Sequence, residues 1–383
     1  MSGKQFKYLE GLNSLRFFAA FLVIIYHAKG SLFQLGLMSD KPFPICDKGD
    51  DAVDFFFTLS GFLITYLLLM QNQRSNTISI RKFYIRRMLR IWPVYFLIVF
   101  FRFFLYGIVY PFLLHTSEPD FPIVKGLSLY IFFLPNLAAA LYNVGLLHPL
   151  WSIGVEEQFY LFWAPLFKWS RKHVHRLIAI AIPVCVGWYL LVANNIFGFG
   201  PVTQDFLLSQ RFFAMIIGAG FAFVLFYRFD AYDQSFLASR PFQFIILATL
   251  IYHYFLTDRL ETQLWFRMLA PALYGAFILN VSVVTRKIIS LERKPFIFLG
   301  EISYGLYMYH MVIDFILKKG FQKLVLHPIN HTILIFLYFI LILGGTILLS
   351  FLSYKYFETR FLKLKDRYAT IEIPKQYEYP ATV

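Results

Sequence analysis

Residues 15–27 read Leu15-Arg16-Phe17-Phe18-Ala19-Ala20-Phe21-Leu22-Val23-Ile24-Ile25-Tyr26-His27. The run between the arginine and the histidine is apolar and shows no period-2 alternation, so it reads as helix rather than strand. Apolar runs of this kind recur along the whole chain. About 20 helical residues are needed to cross about 30 Å of hydrocarbon. In lipid only helices or a closed barrel can satisfy every backbone group, and the missing alternation excludes the barrel. The predicted fold class is therefore all-α, a polytopic membrane bundle.

Composition agrees with that reading. Of 383 residues, 58% are hydrophobic and 15% charged, against roughly 25% charged in soluble domains. The net charge of +14 comes from Lys and Arg in short blocks between apolar spans, a topology signal rather than a nucleic-acid face. Two cysteines, Cys46 and Cys185, support neither a disulfide framework nor a thiolate metal site, and no metal is expected. The first apolar run holds Arg16 and lacks a small-residue cleavage site, so it reads as a retained helix.

Eleven apolar stretches centre near Val23, Leu63, Val99, Phe133, Phe159, Val186, Ile217, Leu247, Ala272, Leu306 and Leu341. If all crossed from a cytoplasmic N-terminus, two basic blocks, Lys168 to Arg176 and Arg286 to Lys294, would face outward, against the positive-inside rule. Making the stretch near Phe133 non-spanning repairs both. It runs from Gly126 to Val144, contains Pro135 and Asn136, and suits a re-entrant or interfacial segment. Ten transmembrane helices remain, with both termini cytoplasmic. On this arrangement about 24 Lys and Arg lie inside, about 7 outside and about 5 within spans. The expected organisation is one membrane domain over residues 1–360 and a short cytoplasmic tail over 361–383.

Ionisable residues inside spans are expensive and raise functional hypotheses. Arg16 and His27 lie eleven residues apart, close to three turns, on one helix face, with His27 about 16 Å deeper. On the helix Trp151-Ser152-Ile153-Gly154-Val155-Glu156-Glu157-Gln158-Phe159-Tyr160, the two glutamates point about 100° apart. Only Glu156 shares the face of Ser152 and Tyr160, at a depth comparable with His27. Alternatively the glutamates neutralise an arginine such as Arg211 or Arg102. Tyr304, Tyr307 and His310 form an i, i+3 stripe that lines protein or water, as an interhelical hydrogen-bond strip or as part of a site. The block Arg81-Lys82-Phe83-Tyr84-Ile85-Arg86-Arg87-Met88-Leu89-Arg90 anchors topology against anionic lipid. Arg87 and Arg90 share a face and could grip the phosphates of a nucleotide-like ligand.

Taken together, these segments resemble the acyltransferase-3 family of membrane-embedded acyltransferases over almost the whole chain. The resemblance is carried by Arg16 with ten residues before His27, Asp54 to Leu63, Arg86 to Tyr95, Trp151 to Tyr160 and Ser303 to His310. It implies a cytoplasmic acyl-coenzyme A donor, acetyl-coenzyme A above all. The implied acceptor is a hydroxyl, often of a cell-surface or lipid-linked carbohydrate, in a bacterial inner membrane. By that analogy His27 is the catalytic base and Arg16 its partner, while Arg86, Arg87 and Arg90 belong to the donor site. Glu156, rather than Glu157, fits the family's glutamate. Ser60, Trp151, Ser152, Glu157, Tyr304, Tyr307 and His310 fall in the same motifs and are expected near the substrates. Many relatives carry an extracytoplasmic esterase-like domain; none is fused here, which suggests a stand-alone enzyme.

The expected mechanism has the pantetheine arm climbing the first helix past Ala20 and Val23. His27 then takes the acceptor proton while Glu156 orients or steadies its ring. A covalent acyl-histidine is the alternative route. A rival reading of the whole chain is an exporter or flippase of a sugar or lipid-linked sugar, since His, Glu and Arg also build proton relays.

Overall fold

The computed structural model describes residues 9–39, 43–114, 122–257 and 263–368, and within them the regular structure is helical. Helix α1 (Leu12–Gln34) leads to α2 (Gly49–Ser75). Next, α3 (Ile80–Phe104) continues through a π-helical turn, Leu105–Val109, into α4 (Tyr110–Leu114). The short α5 (Ile123–Ile131) and α6 (Pro135–Leu141) precede α7 (Leu150–Trp169) and α8 (Val174–Ala193). Then come α9 (Pro201–Ser209), α10 (Phe212–Tyr227), α11 (Phe229–Asp233), α12 (Arg240–Leu256) and α13 (Gln263–Ser282). The chain closes with α14 (Lys294–Glu301), α15 (Ser303–Leu324), α16 (His331–Ser353) and, after a second π-helical turn, α17 (Thr359–Asp366).

Among the described residues six helices are long and apolar enough to cross a membrane: α1, α2, α3 with its continuation, α8, α9 with α10, and α16 with its continuation. The α14–α15 pair, bent by 67° at Ile302, makes a seventh. The chain is thus a multi-pass membrane protein. Each of the ten stretches expected to cross is helical, but length and hydropathy alone do not carry the count to ten. Helix α7 holds Glu156, Glu157 and Gln158. Helix α12 has 17 residues, roughly 26 Å at 1.5 Å per residue, short of about 30 Å of hydrocarbon. The apolar part of α13 is Phe266–Ser282.

The stretch near Phe133 forms no continuous crossing helix. It consists of α5, nine residues, and α6, seven, broken at Phe133 with φ 55°. The break is held by α7: Gln158 Nε2 donates to the Phe133 carbonyl at 2.8 Å and to Asn136 Oδ1 at 3.0 Å. Gly154 leaves the space that the Pro135 ring occupies. The carbonyl freed at the break is thus satisfied by protein.

At the centre α2 packs backbone to backbone on α10. A Cβ on Gly61 would strike the Met215 carbonyl, and one on Gly218 the Thr58 carbonyl. Small residues facing each other in this way let membrane helices approach closely. The contact is pinned by charge: Arg211 Nη1 lies 3.1 Å from Asp54 Oδ1, and Arg211 and Arg267 both reach Asp50. Asp54, from the Asp54–Leu63 motif, is therefore a structural anchor.

The tail expected from residue 361 begins as a docked helix, for α17 packs on α3 and Arg86 Nη1 donates to the Tyr368 carbonyl at 3.0 Å. Residues 1–8 and 369–383 lie outside the described residues, and with them the chain ends predicted to be cytoplasmic.

Candidate active site

Two cavities lie at different levels of the bundle. The first, about 80 Å³, is lined by Arg16 of α1, Ser60 of α2, Arg87 and Arg90 of α3, Ser152, Glu156 and Tyr160 of α7, and Tyr304 and Tyr307 of α15. Helical spacing sets Tyr160 one turn beyond Glu156, so its hydroxyl donates to Glu156 Oε2 at 2.9 Å, while Ser60 Oγ donates to Oε1 at 2.7 Å. Three guanidinium groups thus share a narrow space with one carboxylate. Arg87 Nε is buried with no hydrogen-bond partner, an unspent donor in a net cationic site. Such a site suits phosphate.

Around this cavity the motif residues tie helices together. Tyr304 OH donates to the Ile91 carbonyl at 2.6 Å, and Trp92 Nε1 donates to Glu157 Oε2 at 3.1 Å. Trp151 lies 5.1 Å beneath the Arg211 guanidinium and edge-on to Phe57. Arg86, Trp151 and Glu157 line neither this cavity nor the next. Arg86 is turned onto the Tyr368 carbonyl, because neighbours on a helix diverge by about 100° and Arg87 and Arg90 take the inward face. Neither arginine proposed to neutralise the glutamates does so: Arg211 serves Asp54, and Arg102 stacks on Tyr106.

The second cavity, about 600 Å³, contains His27, Tyr26, Lys29, Asp47, His148, Asp314 and Lys318 in its wall. Lys29 is ion-paired with Asp47 at 2.6 Å. Ser31 Oγ and Tyr338 OH donate to the two oxygens of Asp314 at 2.7 and 2.8 Å. The His27 ring stacks on His310 with centroids 5.1 Å apart and meets His148 edge-on at 6.0 Å. His310 is fully buried, and its Nδ1–H donates to the Tyr307 carbonyl at 2.7 Å. That bond leaves Nε2 as a buried lone pair, unpartnered beside His27. His148 follows the turn Gly145–Leu147 and stands open to the cavity between protein walls. The surrounding protein walls desolvate it and hold its pKa below the ordinary 6.5 even though the ring is exposed, with Asp50 opposing. Among the described residues no group of three His, Cys, Asp or Glu could hold a metal ion.

A hydrogen-bonded layer separates the cavities. Arg16 belongs to one and His27 to the other, as do Ser152 and His148, and Tyr307 and Met311. Between them Tyr307 OH donates to the Pro149 carbonyl at 3.0 Å and shares a 2.7 Å hydrogen bond with Ser152 Oγ. Ala20 and Val23 are buried and line neither cavity, so the space expected along that face of α1 is filled. Glu156 likewise stands with Arg16 rather than with His27. Its two oxygens are taken by Ser60 and Tyr160, and the ring partners of His27 are Tyr26, His148 and His310. His148, which sequence reasoning passed over, had one available signal: it stands three residues before Trp151-Ser152, at the start of that motif.

Comparison with known proteins bears on this arrangement. The Bacillus subtilis protein YrhL is 27% identical over 333 residues, covering 79% of this chain and 48% of that protein. The Listeria monocytogenes peptidoglycan O-acetyltransferase OatA is 27% identical over 339 residues, 80% of this chain and 49% of that protein. The Staphylococcus aureus O-acetyltransferase OatA is 26% identical over 375 residues, 92% of this chain and 57% of that protein. The chain spans about half the length of these curated relatives. No solved structure matches it. The model of the acyltransferase-3 family, an acyltransferase domain, matches residues 9–355, and the chain belongs to that family.

Proposed function

We propose that this protein is a membrane-bound O-acetyltransferase, moving an acetyl group from cytoplasmic acetyl-coenzyme A to a hydroxyl of a cell-surface carbohydrate. Peptidoglycan is the leading acceptor, since the matched OatA relative of Listeria is a peptidoglycan O-acetyltransferase, and the bacterial inner membrane is the expected location. One observation carries the reading: a narrow cationic cavity and a roomy polar one lie on opposite sides of a thin layer, with His27 facing the second. Arg87 and Arg90 would hold the donor's phosphates. The larger cavity is within the roughly 300–1,000 Å³ range of small-molecule sites and has room for a sugar unit.

In the reaction the acceptor oxygen attacks the thioester carbonyl while neutral His27 takes its proton. The C–S bond then breaks, and the imidazolium returns the proton to the thiolate. General-base assistance of this kind is worth about 100- to 10,000-fold. Because Tyr307, Ser152 and Pro149 close the way between the cavities, they must part for the thioester to reach His27. The first test is calorimetric titration of the purified protein with acetyl-coenzyme A. Binding is expected in the wild type, lost in Arg90→Ala and kept in His27→Ala. A folded wild type that binds no acyl-coenzyme A would overturn the reading in favour of an exporter, which needs no donor.

A further inference from the structure

The larger cavity contains a group for which the base-catalysed scheme gives no task. His148 faces open space, and among the described residues its ring makes no hydrogen bond to the protein. Its backbone is nonetheless fixed: His148 N–H donates to the Gly145 carbonyl at 2.9 Å, and the Trp151 N–H donates to the His148 carbonyl at 3.2 Å. Leu146 and Leu147 are buried beside it. The next residue, Pro149, accepts the Tyr307 hydroxyl in the layer between the cavities. A rigidly mounted imidazole with free nitrogens therefore stands where a thioester crossing that layer would emerge. It lies 6.0 Å, centroid to centroid, from His27. At that separation the two rings touch edge-on and nothing fits between them; both line the same cavity, so a reacting carbonyl seated there beside the pair meets a nitrogen of each ring.

We infer that the two histidines divide the reaction, with His27 the base and His148 the hydrogen-bond donor to the oxyanion that forms on the thioester carbonyl. The inference rests on the acetyltransferase reading above. As the acceptor oxygen bonds to the carbonyl carbon, its proton passes to His27 and the carbonyl electron pair moves onto oxygen, where the His148 N–H meets it. Collapse re-forms the carbonyl and expels the thiolate, which takes the proton from His27. His148 neither gains nor loses a proton, so a neutral imidazole suffices. Neutrality also suits its neighbours. Facing it are His27 from α1, His310 from α15 and Asp50 from α2, with the Lys29–Asp47 pair, Asp314 and Lys318 further along the wall.

The test compares H148F, H148A and H148Q with the wild type in acetyl transfer to a soluble oligosaccharide of the cell wall, alongside acetyl-coenzyme A binding. Removing an oxyanion donor costs about 100- to 1,000-fold in kcat. H148F and H148A should lose that much, with donor affinity and acceptor KM within about threefold of wild type. H148Q, which keeps an N–H donor, should recover at least about tenfold of the loss. A kcat within threefold of wild type in H148A, or a loss confined to KM or donor binding, would overturn the role. Equal losses in H148Q and H148A would do the same. A wild type inactive with every acceptor would instead remove the acetyltransferase reading itself.

Discussion

At the scale of single residues, the site is governed by which polar atoms are already spent. Both oxygens of Glu156 are occupied by Ser60 and Tyr160, so its carboxylate belongs to the arginine cavity. His27, His148 and the buried lone pair of His310 form the other centre. A pH prediction follows for His148, whose pKa desolvation holds below 6.5. It therefore charges at lower pH than a free imidazole, and its charge then opposes the imidazolium forming on His27. The acid limb of the transfer rate should therefore be steeper in the wild type than in H148Q, as a rate profile from pH 5 to 8 measures; equal limbs would contradict it. Because the folded state then binds fewer protons than the unfolded chain, His148 also lowers stability as pH falls below 6.5. Arg16, His27 and Glu156 stand out in the sequence because they are ionisable groups inside apolar runs, and the structure places each on a cavity wall. His148 does not, since a histidine in the turn between two helices carries no such signal. The structure sets Glu156 and His27 on different cavities, because equal depth in two helices says nothing of which faces meet.

At the scale of helices, the close approach of α2 and α10 depends on Gly61 and Gly218, which hydropathy does not distinguish from other glycines. Gly218 of α10 lies against the Thr58 carbonyl and the Phe62 amide of α2, whereas Gly220 meets only ordinary contacts with Ile178 and Ile182. Gly→Ala at an unstrained helical site gains about 0.4–1 kcal/mol. Forcing a methyl into packed surroundings costs typically about 1–3 kcal/mol. Gly218→Ala should lower the melting temperature in detergent and Gly220→Ala should hold or raise it; the reverse order would refute the backbone contact. The broken stretch around Phe133 was legible for a different reason. Pro135 and Asn136 interrupt it, and the balance of basic loops fails if it crosses. That Gln158 and Gly154 of α7 are its receptor is tertiary information, visible only once α6 and α7 are side by side.

At the scale of the molecule, hydropathy and charge gave an all-helical, multi-pass chain, and the structure agrees. The count of ten spans rests on assigning to the membrane α7, α12 and α13, which are polar or short. The two cavities give the whole molecule its proposed sense, with donor and acceptor meeting at a layer neither crosses freely. The central claim is that an acetyl group passes through this layer to chemistry at His27. The direct measurement is transfer in sealed proteoliposomes, with labelled acetyl-coenzyme A on one side only and the oligosaccharide acceptor on the other. Labelled acetyl ester should appear on the acceptor when the donor faces the Arg87 and Arg90 end, and His27→Ala should lower its rate by about 100-fold or more. Undiminished transfer by His27→Ala, or transfer only when donor and acceptor share one side, would contradict the account.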